Sequence, residues 1–266
     1  MNIIVREIRS KLRTFIIWIG IITLFILMYI PFTNQFLEES KTMVKFLEKV
    51  PKFLLKAFSI DVELFSMPEG IFGSEGMSFI YILVGVFASM MAGGIFAKEF
   101  EEKTIEYILV KPVSRKYLFR QKVLALLIFV LSLSSIFTIG TLAFFKIFVA
   151  VGYCQKVLFG FGLYVLTIQI FFSSIAVLLS VIFQRSSLTT SISLGILIFM
   201  YFGNALASTI EKIRWLGKIC VFHYLPLTDT IVKRQIFGMN ALMIIMVSLG
   251  ILFVSQKIFE KEDILV

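Results

Sequence analysis

One histidine, His223, is the whole imidazole complement of this chain, so neither an HExxH helix nor a multi-histidine metal site can be assembled from it. The paired glutamates Glu101 and Glu102 are of the kind some intramembrane proteases carry, but those enzymes also need histidines on other helices. No GxxxxGK[ST] phosphate cradle occurs: Gly217-Lys218 is followed by Ile219 and has no glycine five residues before it. Cys154 and Cys220 form no CxxC or metal pattern, and two unpaired thiols are expected of them. His223, alone near an aqueous interface, is expected to be satisfied by water. What remains is one dense run of charge, FAKEFEEKTIEYILVKPVSRKYLFRQK from Phe96 to Lys122, with eleven charged side chains between apolar flanks.

The elements that must position this run are membrane elements. The chain of 266 residues is 59% hydrophobic, with 30 Phe and a mean hydropathy of +0.96, against about 45–50% apolar residues in soluble domains. About 20 residues of helix cross a hydrocarbon core, and six charge-free runs are long enough: 14–33, 77–97, 123–145, 157–183, 188–207 and 239–256. Strand alternation of the outer-membrane type is missing, so the fold class is all-α, a single polytopic domain over 1–266 with six transmembrane helices. With no Asp, Glu, Lys, Arg or His inside any span, a proton relay, an ion-coupled carrier or a voltage sensor has little to work with. The net charge of +9 then speaks for anionic lipid and topology and not for nucleic acid.

Around the spans, Ile4, Ile8 and Leu12 recur on one face while Arg6, Arg9 and Arg13 take another, which predicts an interfacial amphipathic helix over 1–13. No small-x-small cleavage site precedes Pro31, so the first apolar run is expected to be retained as a span. With the N-terminus cytoplasmic, 98–122 and the tail 257–266 share its side, while 34–76 and 208–238 are extracellular. Lys and Arg then number 14 inside against 12 outside, a weak positive-inside bias. In the first outer loop Lys41, Lys45, Lys49, Lys52 and Lys56 fall on one helical face opposite Phe46, Val50, Phe53 and Leu54. WLGKICVFHYLPL, Trp215 to Leu227, is too short to span and suits an interfacial or re-entrant piece. Gly85, Ser89, Gly93 and Ala97 form a stripe of small residues on the second span, for helix packing or a pathway wall. SSLTTSIS, Ser186 to Ser193, opens the fifth span with hydroxyls that either line a path or bond their own i−4 carbonyls.

Within the charged run, Ile105, Ile108 and Leu109 share one face of a short helix that Pro112 would stop, and Ser114 is placed to cap a helix through Tyr117 and Lys122 into the third span. A charged helix-turn-helix at the membrane surface suits the docking of a soluble partner. The segment resembles the signature of the type-2 ABC-exporter permeases, a small residue, an acidic cluster, Gly-Thr, an acid, aliphatics, then Pro-Val-Ser-Arg and a later Lys. The matching positions are Glu99, Glu101, Thr104, Glu106, Leu109, Pro112, Val113, Ser114, Arg115 and Lys122, with Lys103 standing where the family has Gly. The layout of spans, the long first loop and the tail FEKEDI are similar to that family as well.

The resemblance implies a transmembrane permease subunit that is not itself an enzyme. It would pair with a second permease copy or a paralogue and with separate cytoplasmic ABC ATPase subunits that hold the ATP and Mg, so this chain binds no cofactor or metal of its own. Residues 98–122 would be the cytoplasmic coupling segment: Glu99, Glu101 and Glu106 pair with or cap the partner, Thr104 keeps its signature place beside them, Pro112 and Ser114 set the turn, and Arg115 and Lys122 sit at the anionic inner leaflet. Charge-free spans favour an apolar or amphipathic cargo. The absence of Asn-x-Ser/Thr sequons and the richness in Ile, Phe and Lys fit a bacterial plasma membrane. Two other readings stand beside this one: a membrane-anchored assembly or signalling component that docks a partner and moves nothing, and an ATP-independent channel.

Overall fold

A computed structural model describes residues 3–39, 64–101 and 114–261. Six of its helices are long and apolar enough to cross a membrane. Their helical cores are α1 (Ile3–Tyr29), α2 (Met77–Phe96), α3 (Arg115–Phe148), α4 (Gln155–Phe183), α5 (Ser186–Thr209) and α6 (Gly238–Lys261). At 1.5 Å per residue, the 34 residues of α3 extend about 51 Å, well beyond a hydrocarbon core of about 30 Å.

The boundaries follow local chemistry. Pro31 disfavours helical geometry in the residue before it, and α1 stops at Tyr29 before the chain turns and resumes helix over 33–39. Ser114 caps α3 as expected, its Oγ accepting from the Tyr117 N–H at 3.2 Å, an arrangement that stabilises a helix start by about 1 kcal/mol. Gln184 ends α4 in the left-handed region at φ 53°, so that a two-residue link, Gln184 and Arg185, reverses the chain into α5.

Two expectations change. The N-terminal residues are not a separate interfacial helix: nothing between Arg13 and Phe15 breaks the hydrogen-bond ladder, and 3–29 form one rod. Its inner line runs Glu7, Phe15, Trp18, Ile22, Ile26, whereas Leu12 of the expected apolar face is 44% exposed. The loop expected over 34–76 is also shorter. Pro68–Ile71 is helical and Phe72–Gly76 forms a π-turn running straight into α2, so the second candidate span begins at Pro68. The glycines of FGSEG read as loop, but Gly73 is there for contact: a Cβ on it would sit 2.6 Å from Ile231 Cδ1 and 2.7 Å from Phe161 Cζ. The lysine helix expected between Lys41 and Lys56 lies outside the described residues.

The core is a centre of two helices. α2 and α4 pack along each other, α6 and α3 close on α4, and α5 covers α2. Phe87, Phe129, Phe137, Phe161 and Phe172 are all buried there. α1, α5 and α6 turn wide apolar surfaces outward, among them Leu24, Met28, Phe199, Met246 and Phe253, as lipid-facing helices do.

One end of the bundle carries the start of α1, the end of α2, the start of α3 and the end of α6; it is called here the terminal end. At the opposite, loop end, residues 210–237 form short helical turns that fold back into the bundle. Phe222 is its wedge, with ring centroids 5.6 Å from Tyr81, 6.1 Å from Phe172 and 5.6 Å from Tyr201 on three different helices. Cys154 and Cys220 are both free thiols.

Candidate functional site

The charged run begins as an extension of α2. Ala97 N–H donates to Gly93 O, Glu101 N–H donates to Ala97 O, and Lys98–Glu101 makes one further helical turn that carries Glu99. Thr104, Glu106 and Pro112 lie outside the described residues. Arg115 and Lys122 fall in the first turns of α3.

Glu101 reaches across to another helix. Its Oε2 accepts from the Ser186 N–H at 3.0 Å, 85 residues away in sequence. That amide is among the four that a helix start leaves without an intrahelical partner, and Arg185 at the cap position supplies no side-chain bond. A carboxylate there also lies at the positive end of the α5 dipole, worth about 0.3–1 kcal/mol. Phe100, Glu101, Phe183, Gln184, Arg185 and Ser187 line a cleft of about 480 Å³ beside this contact.

Aromatic rings tie the same place to α3 and α6. Phe119 lies 5.3 Å from Phe96 and 5.5 Å from Phe259, and Phe100 lies 6.0 Å from Phe259. Arg120 Nε donates to Gln256 Oε1 at 3.5 Å. Residues 98–101 thus continue α2, touch α5 and α6 directly and reach α3 through the Phe259 ring.

Lys122 is not at a lipid surface. Only 1% of it is exposed, and its ammonium donates to the Ile95 carbonyl at 2.5 Å, lies 3.5 Å from Glu7 Oε1 and faces the Phe96 ring at 5.7 Å. Glu7 is itself 5% exposed and accepts from Arg6 Nη2 at 2.7 Å. The lysine turns inward because its position on α3 faces the α1–α2 side, where a carboxylate and a last-turn carbonyl supply the acceptors that a buried ammonium demands.

The stripe on α2 meets α5. A Cβ on Gly85 would lie 1.9 Å from Leu197 Cδ1 and 3.4 Å from Phe172 Cδ2; one on Gly93 would lie 3.0 Å from Thr190 Oγ1 and 3.6 Å from Thr189 Cγ2. The pairing is antiparallel, so Ser89 falls opposite Ser193, and Ala97 continues the buried line. The hydroxyls of Ser89, Thr189 and Ser193 are buried and have no hydrogen-bond partner among the described residues. The backbonding to i−4 carbonyls weighed for SSLTTSIS is thus absent at Thr189 and Ser193. α4 adds a polar link, Gln169 Nε2 donating to Ser134 Oγ at 2.9 Å, a contact of the kind that joins helices where water is absent.

Glu7 is the residue that sequence reasoning missed. Its signal was present: Glu7, Lys11, Phe15, Trp18, Ile22 and Ile26 recur at spacings of four and three, one helical line that enters the core. Among the described residues no group of three or more His, Cys, Asp or Glu is placed to hold a metal.

The profile of a family described as ABC-2 family transporter protein matches residues 1–263. No curated protein matches the chain.

Proposed function

The chain belongs to the ABC-2 transporter family, whose members are transmembrane subunits without ATPase domains, and from that premise we propose that it is the permease subunit of an ATP-driven exporter. It works as a dimer, with a second copy or a paralogue, and is driven by separate ATP-binding subunits that hold ATP and Mg. The terminal end faces the cytoplasm, and residues 98–122 form the coupling segment. The observation that carries this reading is the contact of Glu101 with the α5 N-terminus, set among aromatic rings that reach α3 and α6. A push delivered to one short helical turn is thereby distributed to four of the six spans.

In this reading ATP binding closes the two ATPases, moves the coupling segments and switches the permease dimer between inward-open and outward-open packing. Such a switch is a bistable repacking of helices, not a continuous deformation. Glu99, Glu101 and Glu106 pair with or cap the partner, Glu101 doing so beside its α5 contact, Thr104 keeps its signature place among them, Pro112 and Ser114 set the turn, and Arg115 lies at the inner leaflet. Residues 210–237, returning to the side they leave, act as a re-entrant outer piece. The charge-free spans suit an apolar or amphipathic cargo.

The test is purification of the tagged chain from native membranes in mild detergent, beside a Glu106→Ala, Pro112→Ala variant. An ATP-binding protein should co-purify with the wild type, hydrolyse ATP in the complex and be recovered poorly with the variant. A complex-free permease, or one that hydrolyses ATP alone, would sink the proposal and leave a channel or a static membrane component.

A further inference from the structure

The contacts invoked above lie on α2, α3, α5 and α6, and none of them fixes where α1 stands relative to the coupling segment. The buried cluster around Lys122 does. Among the described residues it joins groups from three helices: the Glu7 carboxylate from α1, the Ile95 carbonyl from α2 and the ammonium from α3. We propose that Glu7 and Lys122 are a positioning pair that makes the first turns of α1 move with the α2–α3 end, so that displacement of the coupling segment reaches α1. This rests on the coupling reading of residues 98–122.

The argument is one of direction. Phe15 and Trp18 of α1 meet Phe87 and Phe129 through rings, and apolar contact is non-directional, so it allows one helix to slide on another. An ammonium held by a carboxylate and a carbonyl fixes both the separation and the angle of its partners. Charge is also an unexpected choice for mere adhesion here. Replacing a buried ion pair by apolar side chains of similar volume is often neutral for stability, whereas removing one partner alone is strongly destabilising. Lys11 of α1 also reaches α2, its Nζ 2.7 Å from where a Cβ on Gly94 would stand.

The experiment uses the complete complex with its ATPase in lipid nanodiscs, in a chain carrying Cys154→Ser and Cys220→Ser. Spin labels go on exposed positions: Leu12→Cys on α1 or Leu124→Cys on α3, each paired with Val254→Cys on α6. ATP should change both distances in the otherwise wild-type chain. With Glu7→Gln, the fraction of molecules that respond at Leu12 should fall by at least about fivefold while the response at Leu124 persists. With Glu7→Leu and Lys122→Met together, the melting temperature should recover and the Leu12 response should not. A Leu12 response that survives Glu7→Gln, or that returns with the apolar pair, overturns the proposal, because the pair would then only help packing. A starting chain that responds at Leu124 but not at Leu12 overturns it too and leaves the coupling reading intact. Silence at both positions removes the coupling reading itself and this inference with it.

Discussion

The two ends of the bundle are held by different chemistry. At the terminal end, helices are joined through charged side chains: Glu7 with Lys122, Glu101 with the Ser186 amide, Arg120 with Gln256. At the loop end the ties are mostly neutral and end on backbone groups. Tyr164 OH accepts from the Phe237 N–H at 3.0 Å and bonds Thr230 Oγ1 at 2.7 Å, while Thr230 in turn donates to Pro226 O. Asn34 takes both the Phe148 carbonyl, at 2.6 Å, and the Ala150 amide, at 3.2 Å, and Asn240 donates to Tyr224 O. Even the carboxylate buried there, Glu69, accepts from a backbone amide, that of Cys154. At the loop end such bonds hold single loops in one shape, whereas at the terminal end charged groups tie whole helices to one another, so that a displacement of one is carried to the next. In the coupling reading proposed above, the loop end is the part that stays and the terminal end the part that is moved.

The sharpest break of that contrast is Glu7→Gln. It removes the Glu7 carboxylate from the buried Lys122 ammonium, and should cost up to about 3–5 kcal/mol in detergent-solubilised unfolding. Lys122→Met should cost less, since Glu7 keeps Arg6 at 2.7 Å. Equal losses would mean that Arg6 does not compensate.

At the loop end the largest single loss should come from Tyr164→Phe. The ring packing is kept, but Thr230 and the Phe237 amide lose a partner in a buried place, which costs about 1–3 kcal/mol. The loss should appear in thermal unfolding and should not alter the response to ATP at α1 or α3. A Tyr164→Phe variant that unfolds normally but loses that response would reverse the assignment of the two ends.

How much of this was legible beforehand follows from the physics of each signal. The six spans could be read because a bilayer demands long apolar runs, and the Ser114 cap because an N-cap is a local feature four residues long. The family-like run in 96–122 was visible as composition. The inward turn of Lys122 was not, since a lysine beside a membrane has two places to put its charge, and only the three-helix junction decides between them. Glu7 was hidden among arginines, whose charge drew attention to the opposite face of α1. The π-turn at Phe72–Gly76 was lost because glycine carries no periodic signal, although its tight contacts with Phe161 and Ile231 are what require it.

The smallest effect concerns the neutral character of the loop end. Burial pushes the Cys220 thiol up from its ordinary range, and its Sγ lies 3.3 Å from the Leu216 carbonyl, to which it donates. An unfolded thiol ionises near about pH 8.5. The folded state keeps its proton beyond that point, so the unfolded state alone gains stability from ionisation as pH rises. The contribution of Cys220 is therefore complete below about pH 8.5 and declines above it, up to the raised folded value. The measurement is the difference in melting temperature between wild type and Cys220→Ser from pH 7 to 10, which cancels the ionisation of lysines and tyrosines common to both. The difference should be flat to about pH 8 and then fall against the wild type. A flat difference throughout would mean that the thiol reaches solvent, and that the wedge around Phe222 opens at the end of the bundle assigned here as the fixed one.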